Sequence, residues 1–262
     1  MGNSTYMLRI EQKPPVPVGP GTHGDFRIRK MLQTLDAVCR QGRERLYPSL
    51  TNPSWLVLRR RRLIFQKWIT RLEGRDLNVL DVGGRLQPYR QLLEGRIRRY
   101  VAIDLVLTPL VDMVASGGQI PLKGGQFDVV ICTQMLEYAP EPRAVIEEIY
   151  RMLKPGGVLL LSVPAVGLRD ADEDSWRFLP GALRLLVSPF SQSEIVAEGG
   201  SVLGFFRTIN ICMNVFVRFA VLRTVFQWTL CPILNLCGEF LDRVAPSKDG
   251  VFAPNYSVWA RK

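Results

Sequence analysis

The stretch that most constrains this 262-residue chain is Asn78-Val79-Leu80-Asp81-Val82-Gly83-Gly84-Arg85-Leu86-Gln87-Pro88-Tyr89-Arg90. A short apolar run ends at an acid, two glycines let the backbone turn tightly and approach a ligand, and a helical pattern is expected from Tyr89 to Leu93. Strand, glycine turn and helix in that order make a cradle for a cofactor.

The residues that follow repeat the alternation. Tyr100–Asp104, Phe127–Cys132 and the continuously apolar Val158–Val163 read as further strands, and a helix is expected over about Pro142–Leu153. Lys154-Pro155-Gly156-Gly157 stops that helix and turns the chain into the next strand. Such alternation builds a doubly wound α/β sheet with right-handed crossovers, whose ligands sit outside the carboxyl ends of the strands. Asp81 and Asp104 each close a strand and should face one crevice, with Asp104 placed to accept hydrogen bonds from a ribose diol. That geometry serves a dinucleotide or S-adenosylmethionine. A dinucleotide fingerprint wants G-x-G-x-x-G, whereas only Gly83-Gly84 are present here, so the pyrophosphate reading is weak.

Three ordered motifs now carry a resemblance: Asp81–Arg90, Phe127-Asp128-Val-Val-Ile-Cys-Thr-Gln-Met-Leu-Glu-Tyr138, and Leu153-Lys-Pro-Gly-Gly-Val-Leu-Leu-Leu-Ser-Val-Pro164. Over residues 77–165 the chain resembles class I S-adenosylmethionine-dependent methyltransferases, in particular the branch grouped as methyltransferase type 11. Tyr256–Lys262 resembles that family's last, antiparallel strand. The resemblance implies a Rossmann-like seven-stranded sheet with an N-terminal helical extension and a C-terminal helical insertion before the last strand. It implies that Asp81, Gly83 and Gly84 lie against the amino-acid end of S-adenosylmethionine, that Asp104 holds the ribose hydroxyls and that Leu105 lies beside the adenine. It places Thr133 and Gln134 under the methionine portion and Ser116 on the adenine side. Two departures stand out: Leu86 or Gln87 occupies the place of a further family glycine, and Ser116 stands where an acid is usual.

Charge is unevenly placed. The formal net charge is +10, but residues 1–76 hold 15 Lys+Arg against 6 Asp+Glu, leaving 19 against 18 for the rest. The expected organisation is a flexible Pro-rich leader (1–25), a basic helical cap (26–76), the cofactor-binding core (77–165), and an acceptor loop, apolar helical lid and final strand (166–262). Within the cap, Phe26 to about Arg45 reads as an amphipathic helix, and Arg59-Arg60-Arg61-Arg62 as a solvated surface beside a face of Leu63, Ile64, Trp68 and Ile69. A patch for acidic lipid or an anionic substrate is the other reading of the four arginines. Nucleic acid is an unlikely partner, because the run lacks interleaved aromatics and an RNA-binding motif.

Cys39, Cys132, Cys212, Cys231, Cys237 and the single His23 show no metal-ligand spacing, so no metal is expected. Reduced thiols and the absence of a basic-then-apolar signal pattern point to a cytoplasmic protein, peripheral at the inner face of a membrane in one reading. The apolar stretch from Phe205 to Val244 has a longest charge-free run, Thr224–Gly238, of 15 residues, too short to span a bilayer. Two helices forming a lid over the acceptor, or a hairpin in a membrane interface, both account for it.

Methyl transfer from a sulfonium needs alignment above all, and a base only where a hydroxyl proton must leave. With no histidine near the motifs, Asp172 and Asp174 are the candidate bases, and Trp176 and Arg177 the candidate acceptor contacts. The expected activity is O-methylation of a small molecule, sugar or lipid-linked glycan. A methyltransferase-like binding or scaffold protein without turnover is the alternative.

Overall fold

A computed structural model describes residues 23–169, 171–245 and 250–262, with side-chain surroundings from Leu32 onward, so the expected leader lies almost wholly outside it. Seven strands form one sheet: β1 (Leu77–Val82), β2 (Ile97–Asp104), β3 (Met113–Val114), β4 (Phe127–Thr133), β5 (Leu153–Pro164), β6 (Gln192–Ala197) and β7 (Asn255–Arg261). Their order is β3-β2-β1-β4-β5-β7-β6. The first five pair in parallel, and β7 runs antiparallel between β5 and β6. The Rossmann-like seven-stranded sheet expected from the sequence is therefore present.

Both faces of the sheet are covered, as parallel strands require. On one face lies α3 (Pro142–Met152), opened by a proline at its first turn and presenting Val145, Ile146, Ile149 and Met152 at helical spacing to Val130, Cys132 and Leu161. The other face is covered from an unexpected direction. The helix anticipated after the glycine turn is only a single 3-10 turn, Arg90–Leu93. Residues 83–96 make the glycine turn and return to β2 with that single turn alone. The vacated layer is filled by α2 (Trp55–Ile69), whose Phe65, Trp68 and Ile69 pack with Tyr89 and Leu93 against Val79, Ile131 and Leu160. Residues 55–69 are thus a layer of the core rather than an appended cap.

The four arginines of α2 correct the expectation of a solvated run. Arg61 is buried and its Nε lies 2.9 and 3.0 Å from the two carboxylate oxygens of Glu198, itself fully buried just past β6. Arg59 bonds Glu239 at 2.6 Å, and Arg60 bonds Asp242 at 3.0 Å. Arg62 donates to the Leu46 carbonyl and stacks over Tyr47. Successive residues point around the helix, and each direction meets a different partner. The apolar face also shifts by a position: Leu63 is exposed while Leu56 and Val57 are buried.

Between β5 and β6 lies α4 (Pro180–Leu186), and between β6 and β7 lie α5 (Ser201–Phe216), α6 (Ala220–Trp228) and α7 (Leu230–Val244), three helices where two were expected. Helix α7 packs on α5 and on α2, fixed by Glu239 and Asp242 and by buried Asn235, which receives Asn210 Nδ2 and donates to the Leu50 and Asn52 carbonyls.

Glu198 also accepts the hydroxyls of Ser162 (2.5 Å, β5) and Ser257 (2.6 Å, β7), so one carboxylate ties α2 to three strands. Removing one member of a buried ion pair strands the other charge. Arg61→Met should cost about 3–5 kcal/mol in urea denaturation. Arg61→Met combined with Glu198→Leu should recover a substantial part of that loss.

Candidate active site

The sheet order reverses between β1 and β4, the switch point outside whose strand carboxyl ends a doubly wound sheet places its ligand crevice. Its floor is the glycine turn. Gly83 takes φ +81°, and both Gly83 N and Gly84 N donate to the Ile103 carbonyl, at 2.8 and 3.0 Å. A Cβ on Gly83 would stand 2.8 Å from the Met135 side chain, and one on Gly84 2.9 Å from Asp81. Glycine is thus required at both positions by the close approach of Met135 and Asp81, and both amides are taken up by Ile103 O. Where a further glycine was missing, Gln87 itself adopts φ +45° and is held by Nε2 donating to Leu110 O and Oε1 accepting from Arg90. The Thr108 hydroxyl adds a bond to Arg85 O. From above, α1 (His23–Leu46) closes on the turn: a Cβ on Gly42 would lie 2.3 Å from the Leu86 carbonyl oxygen.

Asp81 is buried beneath this turn, and the Tyr100 hydroxyl donates to its Oδ2 at 2.6 Å. Arg90 in turn lies over the Tyr100 ring. Burial raises the Asp81 pKa to about 7; the Tyr100 bond opposes this and the nearby Asp104 adds to it. A carboxylate so placed gains from a cationic neighbour. Asp104 ends β2 half-buried, with Oδ1 accepting Val106 N at 2.8 Å, and Leu105 beside it is largely exposed. Ser116 is exposed and its hydroxyl accepts Gly118 N, closing its own turn. Thr133 ends β4, and Gln134 follows with φ +51° and its N bonded to Ser162 O. These elements bring Asp81, Gly83, Gly84, Asp104, Thr133 and Gln134 to one edge of the sheet.

The acceptor-side candidates fall differently. Asp172 is 91% exposed and paired with Arg169, and Asp174 is held by both Arg177 nitrogens at 2.5 and 2.8 Å. Arg177 also donates to Leu168 O, so it clamps its own loop. Trp176 donates to Ala139 O and stacks near Phe178. None of the four offers an unengaged charged group to an acceptor.

The sequence reading passed over Glu137 as the residue before Tyr138. It is buried, its Oε2 has no hydrogen-bond partner, and burial raises its pKa to about 7. Its backbone carbonyl accepts the amides of Ser175 and Trp176, which seats the acceptor loop on the end of β4. Two further arginines were missed. Arg207 of α5 donates to Val166 O just past β5, and burial lowers its pKa to about 10. Arg45 is exposed to solvent, and its pKa is lowered by the surrounding protein and by repulsion from Arg61 and Arg85. Among the described residues, no group of three His, Cys, Asp or Glu side chains is placed to share a metal ion.

The sheet order and the motif-bearing crevice define a class I methyltransferase fold. A family described as "Methyltransferase domain" matches residues 57–197, more than half of the chain, and the chain belongs to that family. It is 35% identical over 108 residues to a "Ubiquinone biosynthesis O-methyltransferase" of Xanthomonas euvesicatoria pv. vesicatoria, covering 36% of this chain and 45% of that one. The corresponding protein of Xanthomonas oryzae pv. oryzae is 55% identical over 89 residues, 34% of each. The chain thus spans less than half the length of these curated relatives. A "SAM dependent methyltransferase" structure from Archaeoglobus fulgidus overlays with TM-score 0.49 at 15% identity, covering 77% of this chain and 94% of that one. A likeness at that level adds nothing to the family assignment.

The raised pKa values of Asp81 and Glu137 predict how stability depends on pH. Between the ordinary carboxylate range and about 7 the folded chain holds protons that the unfolded chain has released, so stability falls as pH rises through that window. Relative to wild type, Asp81→Asn and Glu137→Gln should each lose roughly 1–3 kcal/mol less between pH 5 and pH 8 in chemical denaturation. Parallel wild-type and variant profiles would contradict the burial argument.

Proposed function

We propose that the crevice binds S-adenosylmethionine and that the chain methylates an oxygen of a small molecule, a sugar or a lipid-linked glycan at the cytoplasmic side of a membrane. The observation that carries the cofactor reading is Asp81. A buried carboxylate bonded by the Tyr100 hydroxyl, with its pKa raised to about 7, fits an ammonium, and it stands beside the glycine turn at the carboxyl ends of β1 and β2. Asp104 would hold the ribose hydroxyls, Leu105 and Ser116 would flank the adenine, and Thr133 and Gln134 would floor the methionine portion. When bound, the cofactor supplies a methyl group on a sulfonium, open to in-line displacement.

What remains for the protein is alignment and, for a hydroxyl acceptor, removal of a proton. Glu137 suits that second task. Its raised pKa matches a base working near neutrality, its Oε2 has no partner, and its backbone holds the loop that carries Trp176 and Arg177. Asp172 and Asp174 are spoken for by Arg169 and Arg177, and in this reading they shape the loop.

Calorimetric titration with S-adenosylmethionine and S-adenosylhomocysteine tests the cofactor reading. Wild type should bind both, and Asp81→Ala and Asp104→Ala should each weaken binding at least tenfold. A folded wild type that binds neither ligand would sink the proposal. With a competent acceptor, Glu137→Gln should lower kcat and flatten its rise with pH around 7 while leaving S-adenosylhomocysteine affinity unchanged. Cofactor binding with no methyl consumption across sugar, phenol and lipid-linked acceptors would favour a scaffold instead.

A further inference from the structure

Helices α5 to α7 are built inside out. Among the described residues, fifteen of the 28 exposed large apolar side chains fall between Phe205 and Val244. On α7 the buried stripe is Cys231, Asn235, Gly238 and Glu239, while the outward stripe includes Ile233, Leu236, Phe240 and Val244. The polar groups point into the protein, where Asn235 meets Asn210 and Glu239 meets Arg59. The outer surface is left apolar, with Phe216 74% and Trp228 72% exposed. Monomers in water seldom expose a contiguous apolar patch beyond roughly 300–600 Å². Something of low polarity should cover this one.

We propose that this face docks on the surface of a lipid bilayer carrying anionic headgroups. Three observations choose the bilayer. From Ser201 to Gly238 the only charged residues are arginines (Arg207, Arg218, Arg223), and the next acids, Glu239 and Asp242, are turned inward to Arg59 and Arg60. Arg207 is turned inward to Val166 O, so the outward charge is the exposed Arg218 with Arg223 half-buried beside it, and it complements anionic lipid at about 1 kcal/mol per basic residue near the surface. The hydroxyls of Thr208, Thr224 and Thr229 bond back to the carbonyls of Gly204, Ala220 and Val225, so they make no demand on water. No single described helix is long and apolar enough to cross a membrane, though α6 and α7 together reach that length and hydropathy with a 40° bend between them. Since the inner stripe of α7 is bonded to α2 and α5, the pair stays on the body and only its outer face can enter the lipid. The proposal stands on this surface and is independent of what the crevice binds.

Vesicle co-sedimentation tests it, using phosphatidylcholine alone and phosphatidylcholine with one quarter phosphatidylglycerol. Wild type should partition onto the anionic vesicles, severalfold less at 0.5 M salt than at 0.1 M and severalfold less onto phosphatidylcholine alone. The triple variant Phe216→Glu, Trp228→Glu, Phe240→Glu should lose at least tenfold in partitioning while keeping its thermal transition, and Arg218→Gln should lose severalfold on anionic vesicles only. S-Adenosylhomocysteine affinity, measured in parallel, should be the same in all variants; vesicle binding without it would leave the docking intact and count only against the crevice reading. Absence of wild-type binding to either vesicle overturns the proposal. So does a stable dimer in light scattering that the triple variant dissolves, since the face would then belong to a second copy.

Discussion

The structure depends on one buried ion pair. Arg61 is buried, and desolvation lowers its pKa, but the adjacent Glu198 carboxylate and the Tyr89 hydroxyl outweigh that effect and leave it raised. Charges are buried at a cost of several kcal/mol each, so such a pair holds only where its remaining donors and acceptors are also engaged. Here they are. Ser162 and Ser257 donate to Glu198, and Asn255, with its amide oriented by its neighbours, accepts from Arg61 Nη2 at 2.9 Å and donates to Pro254 O at 2.8 Å. The network welds α2 to the ends of β5, β6 and β7. It also fixes Tyr89 and Gln134, which stand on the crevice side of the same cluster.

That weld explains how the sheet does without a crossover helix between β1 and β2. A helix in that place would put its amino end toward the crevice and lend it a positive dipole. The 3-10 turn at Arg90–Leu93 offers no comparable dipole, and the glycine amides are already given to Ile103. In the proposed reading side chains take over that role, Asp81 for a cation and Asp104 at the next strand end. Gln87 shows the same economy, taking the left-handed conformation itself and using its amide to bind the loop to Leu110.

The legible part of the sequence was local. The apolar runs of β1, β4 and β5, the Pro142 start of α3, and the acids closing β1 and β2 are each written in a few adjacent residues and appear where expected, whereas Lys154-Pro155-Gly156-Gly157, expected as a turn, is already part of β5. What stayed hidden is held by distant partners. Nothing near Arg61 says that its carboxylate is 137 positions away, so four consecutive arginines look like surface. After the glycine turn, Gln87 in the left-handed conformation, held to Leu110 by its amide, and the layer supplied by distant α2 leave room for only the 3-10 turn at Arg90–Leu93. Asp172 and Asp174 carry the right chemistry in sequence, and only the fold shows that Arg169 and Arg177 have taken it up. Glu137 looked unremarkable because burial, which gives it a pKa near 7, is a tertiary property.

The inverted polarity of α5 to α7 and the buried pair belong to one mechanical arrangement. A helix layer that presents apolar residues outward can stay on a soluble body only if its inner face is anchored by something stronger than apolar contact, and polar anchors serve because they are directional and shielded. Asn235 to the 50–52 turn, Glu239 and Asp242 to Arg59 and Arg60, and Arg207 to Val166 supply such anchors. The arginine run thus works on two fronts, with Arg61 locking α2 to the sheet and Arg59 and Arg60 locking α7 to α2. Because Arg207 donates to Val166 O just past β5, the apolar layer is anchored directly to the carboxyl end of the sheet, the end at which Asp81 and Asp104 stand.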